Sequence, residues 1–283
     1  MRFYRSLLVI IALVTFGIVP GSTALYSNSN TMRGEEGPPQ YGRIHVAKGA
    51  HLNQTTSTNW SGYQLAAGPL AYNSVQGTWI VPAIAASSTD TASATWTGIG
   101  GGCIDLPNCT VTEATLIQAG TSQDNTGGQA NYYAWLEALP APSVPIGGGI
   151  ISSGQNFDVL PGDSITVTIS ASPAVLWTIK IEDMRSGVPH WTFTTSVPYV
   201  EPGLTAEWIE ESPLTAGTGG AGQLTLSNFG RVTFSGLEVD NAPPTLTTNN
   251  QIIMTDGSGK VLARPSLPSS NGFAVCWGSG ACQ

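Results

Sequence analysis

Histidines, cations and helical periodicity are scarce in this chain, and each shortage removes a class of function. Among 283 residues there are three histidines, and two of them, His45 and His51, precede residue 55. A Ser-His-Asp triad needs a histidine to carry the proton. The remaining candidate, His190, sits beside a turn in Pro189-His190-Trp191, where a structural or surface role is expected. No CxxC and no HExxH occurs, so a zinc site would lack its ligands, and neither metal nor cofactor is expected. A paired-aspartate site would need Asp-Thr-Gly or Asp-Ser-Gly twice. Asp256-Gly257-Ser258-Gly259 is not that motif, and it has no second copy. Lys and Arg total ten against eighteen Asp and Glu. Half of the cations (Arg2, Arg5, Arg33, Arg43 and Lys48) precede residue 50, which leaves five cations against sixteen acids beyond it, a net charge of −11. Phosphate backbones are held by Lys and Arg, so nucleic acid is not an expected partner. An acidic surface suits work in acid, where protonation relieves self-repulsion and few salt bridges exist for acid to break.

The chain begins with Arg2 and Arg5, a mostly apolar run from Leu7 to Val19, then Pro20, Gly21 and the small triplet Ser22-Thr23-Ala24. A basic start, a short apolar core and a small-x-small end describe a secretory signal peptide over residues 1–24, cleaved near Ala24. The run is short for a span of roughly 20 residues. The mature protein is therefore expected outside the cell as a monomer free of the membrane. Residues 25–54 are rich in Ser, Asn, Gly, Pro and Gln, a composition that cannot bury a core. They read as a propeptide or disordered leader with a net charge of +1. The body's own propeptide is thus an expected partner, docking on the acidic surface at neutral pH and detaching in acid. Four cysteines stand as two close pairs, Cys103 with Cys109 and Cys276 with Cys282. After export, short-loop disulfides are the natural reading, although four cysteines allow three pairings.

Residues 55–283 read as one domain of short strands. Ser164 to Ser170 alternates with period two behind the turn Pro161-Gly162-Asp163. Similar runs are Gln76 to Val81, Ala92 to Ile99, Ala114 to Gln118, Tyr132 to Leu139, Leu176 to Glu182, Trp191 to Thr195 and Arg231 to Phe234. Gly and Pro are dense between them, no helical stripe is convincing and no repeat of fixed period occurs, so the expected fold is an antiparallel sandwich. Gly217 to Gly222 is Gly-rich but has no following Lys-Ser or Lys-Thr. A flexible loop is expected there rather than a phosphate cradle. Acceptor sequons occur at Asn53, Asn59 and Asn108.

Two strands concentrate polar chemistry. In Tyr133-Ala134-Trp135-Leu136-Glu137, residues 133, 135 and 137 share one face. In Ala206-Glu207-Trp208-Ile209-Glu210-Glu211, Glu207, Ile209 and Glu211 share one face while Trp208 and Glu210 take the other. Glutamate is depleted in strands, so three in five residues need a reason, which a solvated edge strand would also supply. Gln118 ends the apolar run Ala114 to Gln118 before a turn, and taken alone reads as an ordinary strand-end residue.

The segments as a set resemble the eqolisins, the scytalidoglutamic and aspergilloglutamic peptidases. The matching stretches are Asn59-Trp60-Ser61-Gly62-Tyr63, Gly77 to Pro82, Trp96 to Gly101, Leu116 to Gly120, Tyr133 to Glu137, Pro161 to Ser164, Ala206 to Glu211 and Phe229 to Phe234. They stand in family order over residues 59 to roughly 236, most of the mature chain. The resemblance implies a concanavalin- or lectin-like sandwich of two antiparallel sheets. It implies a catalytic pair on the concave face, Gln118 and Glu211, with Glu207 as a fallback for the acid. It also implies that Trp96, Trp135 and Glu137 line the cleft, and that the substrate is a protein or peptide. Three family positions differ: an expected aspartate is Gly100, an aromatic before Pro140 is Leu139, and a later cleft aspartate has no counterpart near Pro145. The implied activity is that of a secreted, pepstatin-insensitive acid endopeptidase. The alternatives are a secreted carbohydrate-binding module, a glycoside hydrolase using Glu137 and Glu211, and an inactive structural relative.

Overall fold

Alternating apolar runs between Gly and Pro turns become strands because a pleated, half-buried surface suits β-branched and aromatic side chains. The computed structural model describes residues 40–47, 55–146, 156–172, 175–214, 222–270 and 272–283. The signal-peptide reading at 1–24, most of the leader, the Asn53 sequon and residues 217–221 of the Gly-rich segment lie outside the described residues. Among those described, the strands are β1 (Thr55–Ser57), β2 (Trp60–Ala66), β3 (Ser74–Ile80), β4 (Thr91–Gly100) and β5 (Leu116–Thr126). They continue as β6 (Gln129–Ala138), β7 (Val144–Ile146), β8 (Ser164–Ser172), β9 (Leu176–Arg185) and β10 (Val188–Pro198). The last are β11 (Thr205–Glu211), β12 (Arg231–Val239), β13 (Gln251–Thr255), β14 (Val261–Pro265) and β15 (Gly272–Trp277). No described helix is long and apolar enough to cross a membrane.

Hydrogen bonding runs in the order β10-β9-β8-β3-β12-β15-β14-β13-β2-β11-β4-β5-β6-β7, with β1 added to β13. All neighbours on that path are antiparallel, and β1 with β13 is parallel. The ribbon folds over itself so that β3 and β8 face β4 and β5. The result is the all-β, antiparallel two-layer sandwich expected from the sequence. Cys103–Cys109 and Cys276–Cys282 form the two short-loop disulfides.

The two layers differ in how they bury. In β8 every second residue turns inward, and Ile165, Val167 and Ile169 join Trp79, Phe234, Ile117, Ala119 and Trp208 in one core. Each such aliphatic side chain contributes about 1.5–3 kcal/mol by leaving water. β4 and β11 are buried along their whole length. Their second face carries another cluster, with Trp60, Trp96, Trp135 and Ile209 packed against Tyr41 and Ile44. β11 lies between β2 and β4 rather than at an edge, so solvation does not account for its three glutamates.

One of those glutamates points between the layers. Glu210 accepts a hydrogen bond from Thr95 Oγ1 at 2.6 Å, beside a polar seam in which Gln123 Nε2 and Trp79 Nε1 both donate to Thr121 Oγ1 at 3.0 Å. Burial pushes the Glu210 carboxyl from 4.5 up to about 8, outweighing the lowering effects of Thr95 and Ser93, because a charge is costly in a dry core. The folded state then holds a proton that the unfolded chain has released. This stability is fully present below the ordinary carboxyl value and is lost as pH rises towards 8. Thermal melting should therefore give its highest Tm in acid and a falling Tm up to mildly basic pH. Glu210→Gln should flatten that fall, by about 2–4 °C for each kcal/mol retained; an unchanged slope in the variant would remove Glu210 from the explanation.

Candidate active site

The register of four neighbouring strands sets three rows of side chains across one face, because side chains alternate along a strand while opposed residues align across strands. One row runs Glu207, Gly98, Gln118, Glu137. The next runs Ile209, Trp96, Gly120, Trp135, and the third Glu211, Ala94, Ser122, Tyr133. Small residues make room in this lattice. A Cβ at Gly98 would lie 3.0 Å from Gln118 Cβ and 3.0 Å from the Trp96 ring, and one at Gly120 would overlap Trp96 and the Thr95 carbonyl. Gly120 is therefore a place of close strand approach and not a turn. Gln118 is the third residue of β5, within the strand rather than at its end, and fully buried.

Glu211 is the most heavily coordinated carboxyl in the cleft. Its Oε1 accepts from Gly42 N at 3.0 Å and Asn59 Nδ2 at 3.3 Å, and its Oε2 accepts from Trp96 Nε1 at 2.8 Å. Burial raises its pKa well above the ordinary carboxyl range and the negative charge of Glu137 adds to this, while the Gly42, Trp96 and Asn59 donors pull it back. Burial prevails. Asn59 is itself pinned, with its Oδ1 accepting from His45 N at 2.7 Å and Ser57 Oγ at 2.9 Å, and its Nδ2 donating to Arg43 O at 3.0 Å. Sequence reasoning assigned Asn59 no part in the site. Its signal lay in the Asn59 to Tyr63 motif, where the same residue also reads as a sequon, yet its side chain is buried.

Gln118 Nε2 donates to Glu137 Oε2 at 2.7 Å, and Gln118 Oε1 has no hydrogen-bond partner among the described residues. Burial pushes Glu137 up to about 8, against the lowering effects of Gln118 and the backbone groups of Ser143 and Tyr41. Trp60 packs edge-on against Trp96 with ring centroids 4.9 Å apart. On this one face Trp96 thus meets Glu211 and Glu137 meets Gln118, with Trp135 in the row between. Glu207 shares the row of Gln118 but stands beyond Gly98, where burial raises it well above its usual value against a lowering hydrogen bond with Thr205, and the charges of Glu113 and Glu201 add to the rise. Burial, then Glu113, pushes Glu201 up to about 9. A Cβ at Gly100 would lie 2.6 Å from Glu201 Oε2. The Glu201 carboxyl therefore occupies space that an aspartate at residue 100 would need. His190 lies on β10 with Nε2 3.0 Å from Asp158 Oδ1, on an exposed surface.

Residues 40–47, from the stretch read as leader, lie along this face. Gln40 pairs with Leu214 through both backbone bonds, Ile44 N donates to Gly101 O at 3.1 Å, and Trp60 Nε1 donates to Gly42 O at 2.9 Å. The Tyr41 ring stacks on Trp135 with centroids 3.7 Å apart. Consecutive backbone N–H groups, those of Tyr41 and Gly42, interact with Glu137 and Glu211. No ion pair between described residues joins this segment to the body. With it seated, Trp96, Gln118, Trp135 and Glu211 have no exposure.

Residues 58–277 match the model of the Peptidase A4 family. No curated protein matches the chain. Among solved structures, a scytalido-glutamic peptidase bound to a transition state analog inhibitor superposes with a TM-score of 0.58 and 19% identity, over 78% of this chain and 98% of that one. SCP-B, an eqolisin family peptidase in complex with the tripeptide Ala-Ile-His, gives 0.55 and 18% over the same 78% and 98%. At such identities the likeness is one of fold. A methyl group at residue 98 tests the lattice independently of activity. Gly98→Ala should lose about 1–3 kcal/mol of stability by overpacking against Gln118 and Trp96, read as a lowered Tm; a Tm equal to wild type would mean that the row has slack.

Proposed function

The chain belongs to the Peptidase A4 family and is by that membership a glutamic peptidase; we propose that Gln118 and Glu211 are its catalytic pair, in a secreted acid endopeptidase. The observation that carries this reading is the backbone of residues 41 and 42 spanning Glu137 and Glu211. The groove accepts a peptide through main-chain groups, which suits a polypeptide substrate better than a sugar.

Glu211 is the general base. It takes a proton from water as the water oxygen attacks the carbonyl carbon, and as the C–N bond breaks it returns that proton to the leaving nitrogen. Gln118 has two N–H groups and one carbonyl oxygen. One N–H is held by Glu137, which fixes the amide orientation. The other is available to the developing oxyanion, and Oε1 to the attacking water. Such a donor is worth most in a dry site, where it needs no reorganisation. Glu137 is a positioning residue in this scheme. A general base works best when its pKa is near the working pH, and burial holds Glu211 above the ordinary carboxyl range while the segment 40–47 covers it. Departure of that segment re-exposes the carboxyl to water and moves its pKa down, into acid.

Residues 40–47 act as an inhibitory plug. The precursor leaves the cell through a signal peptide at 1–24, forms its two disulfides in an oxidising compartment, and gains activity when the leader leaves the cleft. Casein digestion from strongly acidic to neutral pH should show acid activity that falls by about 10²–10³-fold in Gln118→Ala and in Glu211→Gln, with circular dichroism unchanged. Full activity in either folded variant would remove that residue from the pair. Neither pepstatin nor a chelator should inhibit. Mass spectrometry alongside the same assay should show activity rising only as residues up to 47 are lost from the body; full activity in the intact precursor would rule out the plug.

A further inference from the structure

The seat of Tyr41 has a polar end that peptide hydrolysis does not require. Its ring lies on Trp135 at 3.7 Å and 13°, which any aromatic ring could do. Its hydroxyl lies 3.3 Å from the Tyr133 hydroxyl and also meets Ser122. Tyr133 OH donates to Asp124 Oδ2 at 3.0 Å and Ser122 Oγ to Asp124 Oδ1 at 2.9 Å. Ser122 and Tyr133 are opposed across β5 and β6, so one strand pair builds the whole end of the pocket. Asp124 is 5% exposed and Tyr41 is 1% exposed.

Proton counting decides what this end recognises. Tyr133 has one O–H, and it is committed to Asp124, so its oxygen faces the pocket as an acceptor, while Ser122 Oγ donates to Asp124 or to Ser93 O behind it. An incoming phenol, with its single O–H, donates to that Tyr133 oxygen, as Tyr41 is placed to do at 3.3 Å. A phenylalanine in the same seat leaves the buried Tyr133 oxygen without a donor, which is the kind of loss that discriminates between substrates. The position of the seat relative to the chemistry follows from Gly42. Its nitrogen is 3.0 Å from Glu211 Oε1, and the proton held by the general acid goes to the leaving nitrogen. The side chain before that nitrogen belongs to Tyr41, on the acyl side of the bond.

We infer that Trp135, Tyr133, Ser122 and Asp124 form a tyrosine-selective subsite for the residue immediately before the bond to be cut, and that Tyr41 shows a substrate side chain seated in it. This rests on Gln118 and Glu211 being the catalytic pair. Selectivity comes from the row that ends in Tyr133, and the aromatic slab alone would treat tyrosine and phenylalanine alike.

The test uses enzyme freed of its leader by acid processing, and quenched fluorescent peptides that differ at one position, Tyr, Phe, Leu or Ala, before a glycine. The tyrosine peptide should be cut between Tyr and Gly with kcat/KM about tenfold to a hundredfold above the phenylalanine peptide. Tyr133→Phe should bring that ratio close to one. Equal rates for Tyr and Phe in the wild type, cleavage at another bond, or an unchanged ratio in folded Tyr133→Phe would each overturn the subsite. Binding of the same peptides to Glu211→Gln, followed by tryptophan fluorescence, separates the two readings. A Tyr preference in binding with no cleavage by the wild type would keep the pocket and discard the catalytic pair.

Discussion

A carboxyl group with no exposure must be met by hydrogen-bond donors or give up its charge, and the cleft is organised around meeting that condition at Glu211. Three N–H groups converge on its two oxygens, from Gly42, Asn59 and Trp96. Each donor is held by something else. Asn59 is clamped by Ser57, His45 and Arg43. Trp96 is wedged between rows that only Gly98 and Gly120 leave open. Interior packing tolerates little slack, so the position of the carboxyl depends on the register of β4 against β5 and β11.

The same layer has two cores. Its inner face closes against β3 and β8, as in any sandwich. Its outer face carries Trp60, Trp96 and Trp135, too much aromatic surface to leave in water, and Tyr41 and Ile44 complete that cluster. A cleft that must bind an extended peptide has to offer apolar surface and unfilled hydrogen-bond partners. A segment of the chain itself satisfies both requirements. Stability of the covered form and accessibility of the uncovered one are therefore opposed uses of one surface.

Acid runs through the whole molecule. Burial pushes Glu137 and Glu210 up to about 8 and Glu201 up to about 9. With five cations after residue 50, few partners exist to neutralise these groups, and protonation is the cheaper route. In acid the buried carboxyls are neutral hydrogen-bonding groups; at higher pH they become uncompensated interior charges.

Much of this was legible in the residues themselves. Period-two alternation in β8 was readable because one face is wet and the other dry. The faces of 133, 135 and 137, and of 207, 209 and 211, followed from strand geometry alone. Pattern could not separate the roles of Glu207, Glu210 and Glu211, because β11 is buried on both faces and alternation no longer marks inside from outside. Gln118 read as a strand end because Gly120 looks like a turn; only the neighbouring Trp96 shows that the glycine makes room for a ring. Asn59 and Tyr41 were beyond local reasoning, since their partners lie 152 residues away at Glu211 and 92 away at Tyr133. Local sequence determined the strand class and the faces, which depend on near neighbours, and left the choice among three cysteine pairings to the fold. Tertiary structure decided which carboxyl receives donors and which segment covers it, because those depend on register between strands distant in the chain.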